Sequence, residues 1–468
     1  MDQGINRRGF LKLSAAGSAV LATGSGLALL TGCSSNDGPA TGYKHFRQQD
    51  VDLLTPLVGA VLGSALSDAG ATAEDGMKAF DDLLDGGAPV LPESWTFPVE
   101  SDIAPAFRVV GAEGRLAATS ENAKLDVNLA TAEMLEALPM IDADLARAIV
   151  GARPFESVAE LGSVPGVTPA LLYGDRGGEL EPDMLPLSEV LTVFAFDPNI
   201  QLGAGEQGEE HRGNQRVNLG LGWSDALERA VIDRWDESVA EILKSLFEQG
   251  ESLKRTSDVV ALYRRFGASP EDWIEGLDAL TTIDSEHVRG LVDLNRASPE
   301  VLGAVPGIDE NKARDIADAR EHLGLDQRRS IVWPVIEGIL TQDEFQEACD
   351  WLTTRSMQWR VRVEGGSLIA GEGGDELSES AEMRDRVVVE CVIDVSSRRP
   401  RVAYLRDVTG LELALALGAS PDEETDPINE PEEPTPGEVF EPAGVDRPAP
   451  PAPAQDESET ESEPVGGG

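Results

Sequence analysis

Three tetrapeptides hold the residues whose types and spacing suit them to engage a ligand: Pro139-Met140-Ile141-Asp142, Pro165-Gly166-Val167-Thr168 and Pro306-Gly307-Ile308-Asp309. Each joins two short helical patterns. A loop of this kind grips phosphate when it reads Gly-hydrophobic-Gly, because the glycines let backbone N–H groups approach the anion at a helix start. Here the second glycine position holds Asp142, Thr168 and Asp309, and Met140 replaces the first glycine in one loop. Aspartate at a helix start is a good N-cap, since its carboxylate accepts the free N–H groups. The same carboxylate fills the place of a phosphate and repels it. Lys312 and Arg314 follow the third loop, but Asp309, Glu310 and Asp315 surround them. Helix packing or protein docking is therefore the expected use of the loops, and nucleic acid is not the expected partner.

A second chemistry lies near the start of the chain. Arg7, Arg8, Phe10 and Leu11 precede a weakly apolar stretch at 13–30, then Leu30-Thr31-Gly32-Cys33. This resembles a twin-arginine export signal joined to a bacterial lipobox, with small residues admitting the Cys33 thiol to the lipidating enzymes. Diacylated Cys33 would be the lipid attachment that holds the chain to a membrane. A competing reading is a prepilin leader cut after Gly9. Against it, Ser14 stands where pilins carry Glu, and Lys12 and the glycines suit a pilin helix poorly. Either reading, like an uncleaved anchor, places the body outside the cytoplasm, on the periplasmic or extracellular side.

Other candidates carry less. Asp175, Glu179, Glu181 and Asp183 form an oxygen-rich loop, a candidate calcium site without EF-hand spacing, for which a solvated acidic turn is the preferred reading. His45, His211, His287 and His322 are scattered, and no nucleophile elbow, P-loop, dinucleotide fingerprint or HExxH occurs. Catalysis is not expected, and no cofactor is expected apart from calcium. Cys349 and Cys391 are open to two readings, a pair in an exported protein or two separate buried thiols.

These residues need elements to position them. The net charge of −47 repels DNA phosphates over the whole surface unless a basic patch intervenes, and the sequence contains none. The fold class reads as α+β: a mainly helical insert of helix-hairpin-helix units beside a small antiparallel sheet, with a disordered acidic tail. The divisions are an export signal at 1–33, a tether at 34–43 and N-terminal helices and short strands at 44–120. A first helix-hairpin-helix block at 121–175 precedes a middle helical block at 176–290 and a second such block at 291–354. The sheet follows at 355–410, and Pro- and Glu-rich sequence fills 411–468. Asp126-Val127-Asn128-Leu129 opens the first block; Val217-Asn218-Leu219 and Asp293-Leu294-Asn295 echo it. Helices are expected over 131–137, 143–152, 225–248 and 271–280, strands at 359–363, 386–395 and 401–405, and a hairpin loop over 364–382.

The order of these features resembles general secretion pathway protein K, the minor pseudopilin family of type II secretion. Gly114-Arg115-Leu116 ahead of Ala123-Lys124-Leu125-Asp126 resembles that family's entry into its helical insert, and Leu171-Leu172-Tyr173-Gly174 followed by Leu191-Thr192-Val193-Phe194 resembles its next connection. Arg355-Ser356 before Trp359-Arg360-Val361 resembles the step back into the pilin sheet. The resemblance, over roughly 95–410, implies a pilin-like sheet, a non-enzymatic role in pseudopilus assembly and partners among pseudopilin-like or secretion-system proteins. It also implies calcium binding in some members. The lipoprotein-like leader departs from it, because a lipid-anchored chain does not pack a pilin helix into a fibre. The alternative class is a lipid-anchored helix-hairpin-helix DNA receptor of the competence type.

Overall fold

The computed structural model describes residues 82–88, 94–96, 103–110, 118–174, 184–205, 208–369, 384–396 and 401–411. The export signal with Arg7, Arg8, Phe10, Leu11 and Cys33, the tether, nearly all of the helices expected over 44–95, the acidic loop Asp175–Asp183 and the tail lie outside the described residues. No helix among the described residues is long and apolar enough to cross a membrane.

The chain passes through β1 (Ser94–Thr96), β2 (Ile103–Val110) and β3 (Ala118–Ser120), then leaves the sheet for a helical block built of three modules. In the first, β4 (Leu125–Asp126) leads to α1 (Ala132–Glu136), α2 (Ala143–Ala152), a 3-10 turn at Val158–Ser163, α3 (Pro169–Tyr173) and α4 (Leu187–Val190). It closes with β5 (Leu191–Thr192), parallel to β4. After β6 (Phe196–Pro198), the second module runs from β7 (Val217–Asn218) through α5 (Asp225–Arg234), α6 (Glu237–Glu248), α7 (Thr256–Arg265) and α8 (Pro270–Ala279). Its closing strand β8 (Leu280–Thr281) lies parallel to β7, and β9 (His287–Arg289) then pairs antiparallel with β6. The third module runs from β10 (Val292–Asp293) through α9 (Pro299–Gly303), α10 (Glu310–His322), α11 (Trp333–Ile336) and α12 (Gln342–Ala348) to β11 (Leu352–Thr353), parallel to β10.

Short strands hold here because each entry repeats one set of hydrogen bonds. Val127, Leu219 and Leu294 donate their N–H to the carbonyls of Thr192, Thr281 and Thr353 at 2.8, 2.8 and 2.9 Å. Asp126, Asn218 and Asp293 then accept the N–H two residues on, from Asn128, Gly220 and Asn295, at 2.9, 2.8 and 2.9 Å. Such Asx turns end a strand locally, which lets the next residues start a helix. The modules share one apolar core that includes Leu135, Ile149, Leu161, Val260, Ile316 and Trp333. Trp273 of the second module stacks on Phe345 of the third, ring centroids 5.9 Å apart.

The chain returns to the sheet through β12 (Gln358–Ile369), β13 (Arg384–Asp394) and β14 (Arg401–Asp407). The order is β1-β2-β12-β13-β14, all antiparallel, with β3 also on β12. Ser120, where the chain leaves, lies opposite Trp359, where it returns. Period-2 alternation sends Trp359, Val361 and Val363 into a second core with Cys391 and Ile393, and turns Arg360, Arg362 and Glu364 to the other face.

The fold is thus mixed α and β with an antiparallel sheet. Two expectations need correction. The helix expected over 225–248 is two helices, because Asp236 caps a new one, accepting from the Val239 N–H at 3.0 Å. The loop expected over 364–382 begins as strand, since β12 runs on to Ile369, and the rest of it, 370–382, lies outside the described residues. Of the two readings left open for Cys349 and Cys391, the structure has the separate buried thiols: they lie in different cores, and burial raises the titration of both.

Candidate functional site

The three hairpins are built alike. Ile141, Val167 and Ile308 donate N–H to the carbonyls of Leu138, Val164 and Val305 at 3.0, 3.1 and 3.1 Å, and their side chains are buried. The exposed rims are Pro139, Asp142, Pro165, Gly166, Thr168, Pro306 and Asp309, while Met140 and Gly307 are half-buried. Asp142 accepts from the N–H groups of Asp144 and Leu145 at 3.0 and 2.8 Å, and Asp309 from Asn311 and Lys312, both at 3.0 Å. The Thr168 hydroxyl accepts from the Leu171 N–H at 3.1 Å. The amides through which a helix start holds an anion are already engaged by the chain's own side chains.

The cations around the hairpins are engaged too. Lys312 forms an ion pair with Glu344 on α12 and lies 3.9 Å from Asp309. The Lys312 hydrogen bond, with the Thr341 N–H, holds the Glu344 carboxyl down to about 2. Arg314 pairs with Glu310, and Arg147 with Asp144. Gly307 has φ +81°, and a Cβ there would overlap the Glu344 carbonyl oxygen. This glycine lets α12 approach; it does not hold open a place for phosphate.

The first and third modules match residue for residue at one constant offset in the chain. Asp126, Asn128, Ala130, Thr131, Asp142 and Arg153 correspond to Asp293, Asn295, Ala297, Ser298, Asp309 and Arg320. Arg153 donates to the Ala130 carbonyl and Arg320 to the Ala297 carbonyl, each at 2.7 Å. Burial raises the Asp126 and Asp293 carboxyls above the ordinary range, against the opposing pull of nearby amides and arginines. The sequence pattern exposed the entries but missed their partners Leu191-Thr192, Leu280-Thr281 and Leu352-Thr353. The recurring Leu-Thr pair was the available signal.

A second group that the pattern missed joins the block to the sheet. Glu121 is fully buried and accepts from the Arg360 Nε at 2.7 Å, with Lys124 Nζ 3.6 Å away. Burial pushes its carboxyl up, but Arg360 and Lys124 overcome this and hold it down to about 2. Glu390 pairs with Arg360 and, at 3.2 Å, with Arg362. Among the described residues, no group of three or more His, Cys, Asp or Glu is placed to hold a metal ion.

Set against known proteins, residues 120–174 match the helix-hairpin-helix motif family, and no curated protein matches the chain. The matched segment is the first module's pair of hairpins, a motif compatible with nucleic-acid or protein interaction.

Proposed function

We propose that this chain is a non-enzymatic protein-interaction component, exported and lipid-anchored through Cys33, that acts beside a secretion or pilus-like machine as general secretion pathway protein K does. The observation that carries the reading is the state of the hairpin nearest in sequence to a DNA-binding one. Its Gly307 accommodates α12, its Lys312 neutralises Glu344, and its helix-start amides are capped by Asp309. What the hairpins still offer a partner is an exposed rim of Pro139, Pro165 and Pro306 with acidic or hydroxyl caps. That rim suits a protein surface and repels a phosphate backbone. The helical block, inserted between neighbouring strands β3 and β12, supports the kinship with the pseudopilin family.

The test is binding of the full chain to duplex DNA at low salt. We expect none at micromolar protein. Micromolar affinity with a steep salt slope would overturn the reading in favour of the competence-type DNA receptor. Mass spectrometry of the mature N-terminus tests the anchor: lipidated Cys33 is the expected species, and N-methylated Phe10 would replace the anchor with pseudopilin processing.

A further inference from the structure

One cavity among the described residues is lined by none of the hairpin rim residues. It has a volume of about 470 Å³ and lies among the modules, lined by Arg216, Arg329, Asp197, Asp278, Asp350 and Thr282 among others. That size suits a small organic ligand. Its hydrogen-bonding balance is one-sided. The carboxylates are already supplied: Asp197 accepts from Arg355 Nε at 2.5 Å, and Asp278 from the N–H groups of Leu202, Gly203 and Ala204 at 2.6, 2.9 and 3.0 Å. Asp350 accepts from the Ser257 N–H at 2.9 Å and its hydroxyl at 2.7 Å.

The donors are not. Arg216 donates through Nε to the Asp278 carbonyl at 2.9 Å, and no other hydrogen bond holds its guanidinium among the described residues. The Thr282 hydroxyl is buried without a partner, and so is the Arg329 Nε, although the rest of that guanidinium pairs with Asp85, Glu209 and Asp326. Lys254 and Arg255, both exposed, line the same cavity. Lys254 donates to the Gly220 carbonyl at 2.7 Å, so the donors left over in the cavity are chiefly those of Arg216 and Thr282. Donors left over beside carboxylates already satisfied call for a ligand made of acceptors.

We propose that this cavity binds a compact organic oxyanion, carboxylate or phosphate, with the planar fork of Arg216 as its main anchor and the Thr282 hydroxyl as a second donor. The proposal is independent of the docking role of the hairpins.

Calorimetric titration of the full chain at fixed ionic strength tests it, with inorganic phosphate, succinate and the uncharged succinamide as probes. Saturable one-to-one binding of phosphate or succinate, and none of succinamide, is the expected result; the tighter of the two anions identifies the ligand's head group. R216Q should weaken that binding about tenfold or more, as loss of a charge-assisted bond does, and T282V by less, while E241Q, at an exposed position of α6 outside the cavity lining, leaves it unchanged. If R216Q does not fold, R216K, which keeps the charge without the fork, takes its place. Absence of heat with both anions up to millimolar concentration, or binding that the Arg216 and Thr282 variants both leave unaltered, would overturn the proposal.

Discussion

The hairpins of the first and third modules occupy matching places and differ at one residue, Met140 against Gly307. In the third module α12 lies against the loop, and its Glu344 backbone leaves no room for a Cβ. In the first, the chain accommodates a half-buried methionine at that place. A glycine in a hairpin thus answers to whatever packs on it, and in this molecule that is the protein's own helix. Tertiary packing, more than the motif, decides whether such a loop is available to a partner.

The largest effect should come from that glycine. Gly307→Ala combines a positive φ with the overlap on Glu344 and should cost about 3 kcal/mol or more in denaturant unfolding. Gly166→Ala, at φ +96° with its nearest neighbour 3.6 Å away, should cost about 1 kcal/mol. Equal costs would break the comparison.

Next in size are the entry residues. Asp126→Ala or Asp293→Ala removes the Asx turn and should cost about 2 kcal/mol. Asn should be tolerated at both, because Asn218 already makes the same turn in the second module. The pH dependence sharpens this further. The folded Asp126 and Asp293 carboxyls titrate above their ordinary value, so the folded state binds their protons more tightly than the unfolded chain. Their contribution is fully present below the ordinary aspartate range and lost as pH rises through the raised folded values. Asp126→Asn should flatten that part of the stability profile; an unchanged profile would show that the carboxyl is not responsible.

The helix caps come third. Asp142→Ala, Thr168→Ala and Asp309→Ala should each cost about 1 kcal/mol, readable by thermal unfolding. The smallest effect concerns function: Asp142→Gly together with Thr168→Gly uncovers amides in the first module and should raise duplex DNA binding slightly at low salt. A strong rise would show that the caps alone exclude phosphate, and the surrounding charge does little.

Much of this was legible in the sequence because it is local. The Asn-Leu entries, the loop prolines and the capping residues act within a few positions of themselves, so α2 and α3 follow from spacing alone. The partner strands were not legible, since Leu191-Thr192 is too short to carry an alternating pattern and pairs only across a module. The break between α5 and α6 was hidden because apolar spacing continues through Trp235 and outweighs the cap at Asp236. The join at Glu121 could not be read at all: its meaning depends on Arg360, 239 residues away.

That separation bears on how the molecule folds. Ser120 and Trp359 meet as register partners, yet an unfolded block between them would make their encounter a very long loop closure. Once the modules have condensed, their own shape brings the two ends together, and β12 finds β2 and β3 at little further entropic cost. The sheet is then expected to form after the modules, whose own condensation sets the pace. An intermediate with folded helices and an open β12 edge is the expected kinetic species, visible as early protection of module amides in pulsed hydrogen exchange.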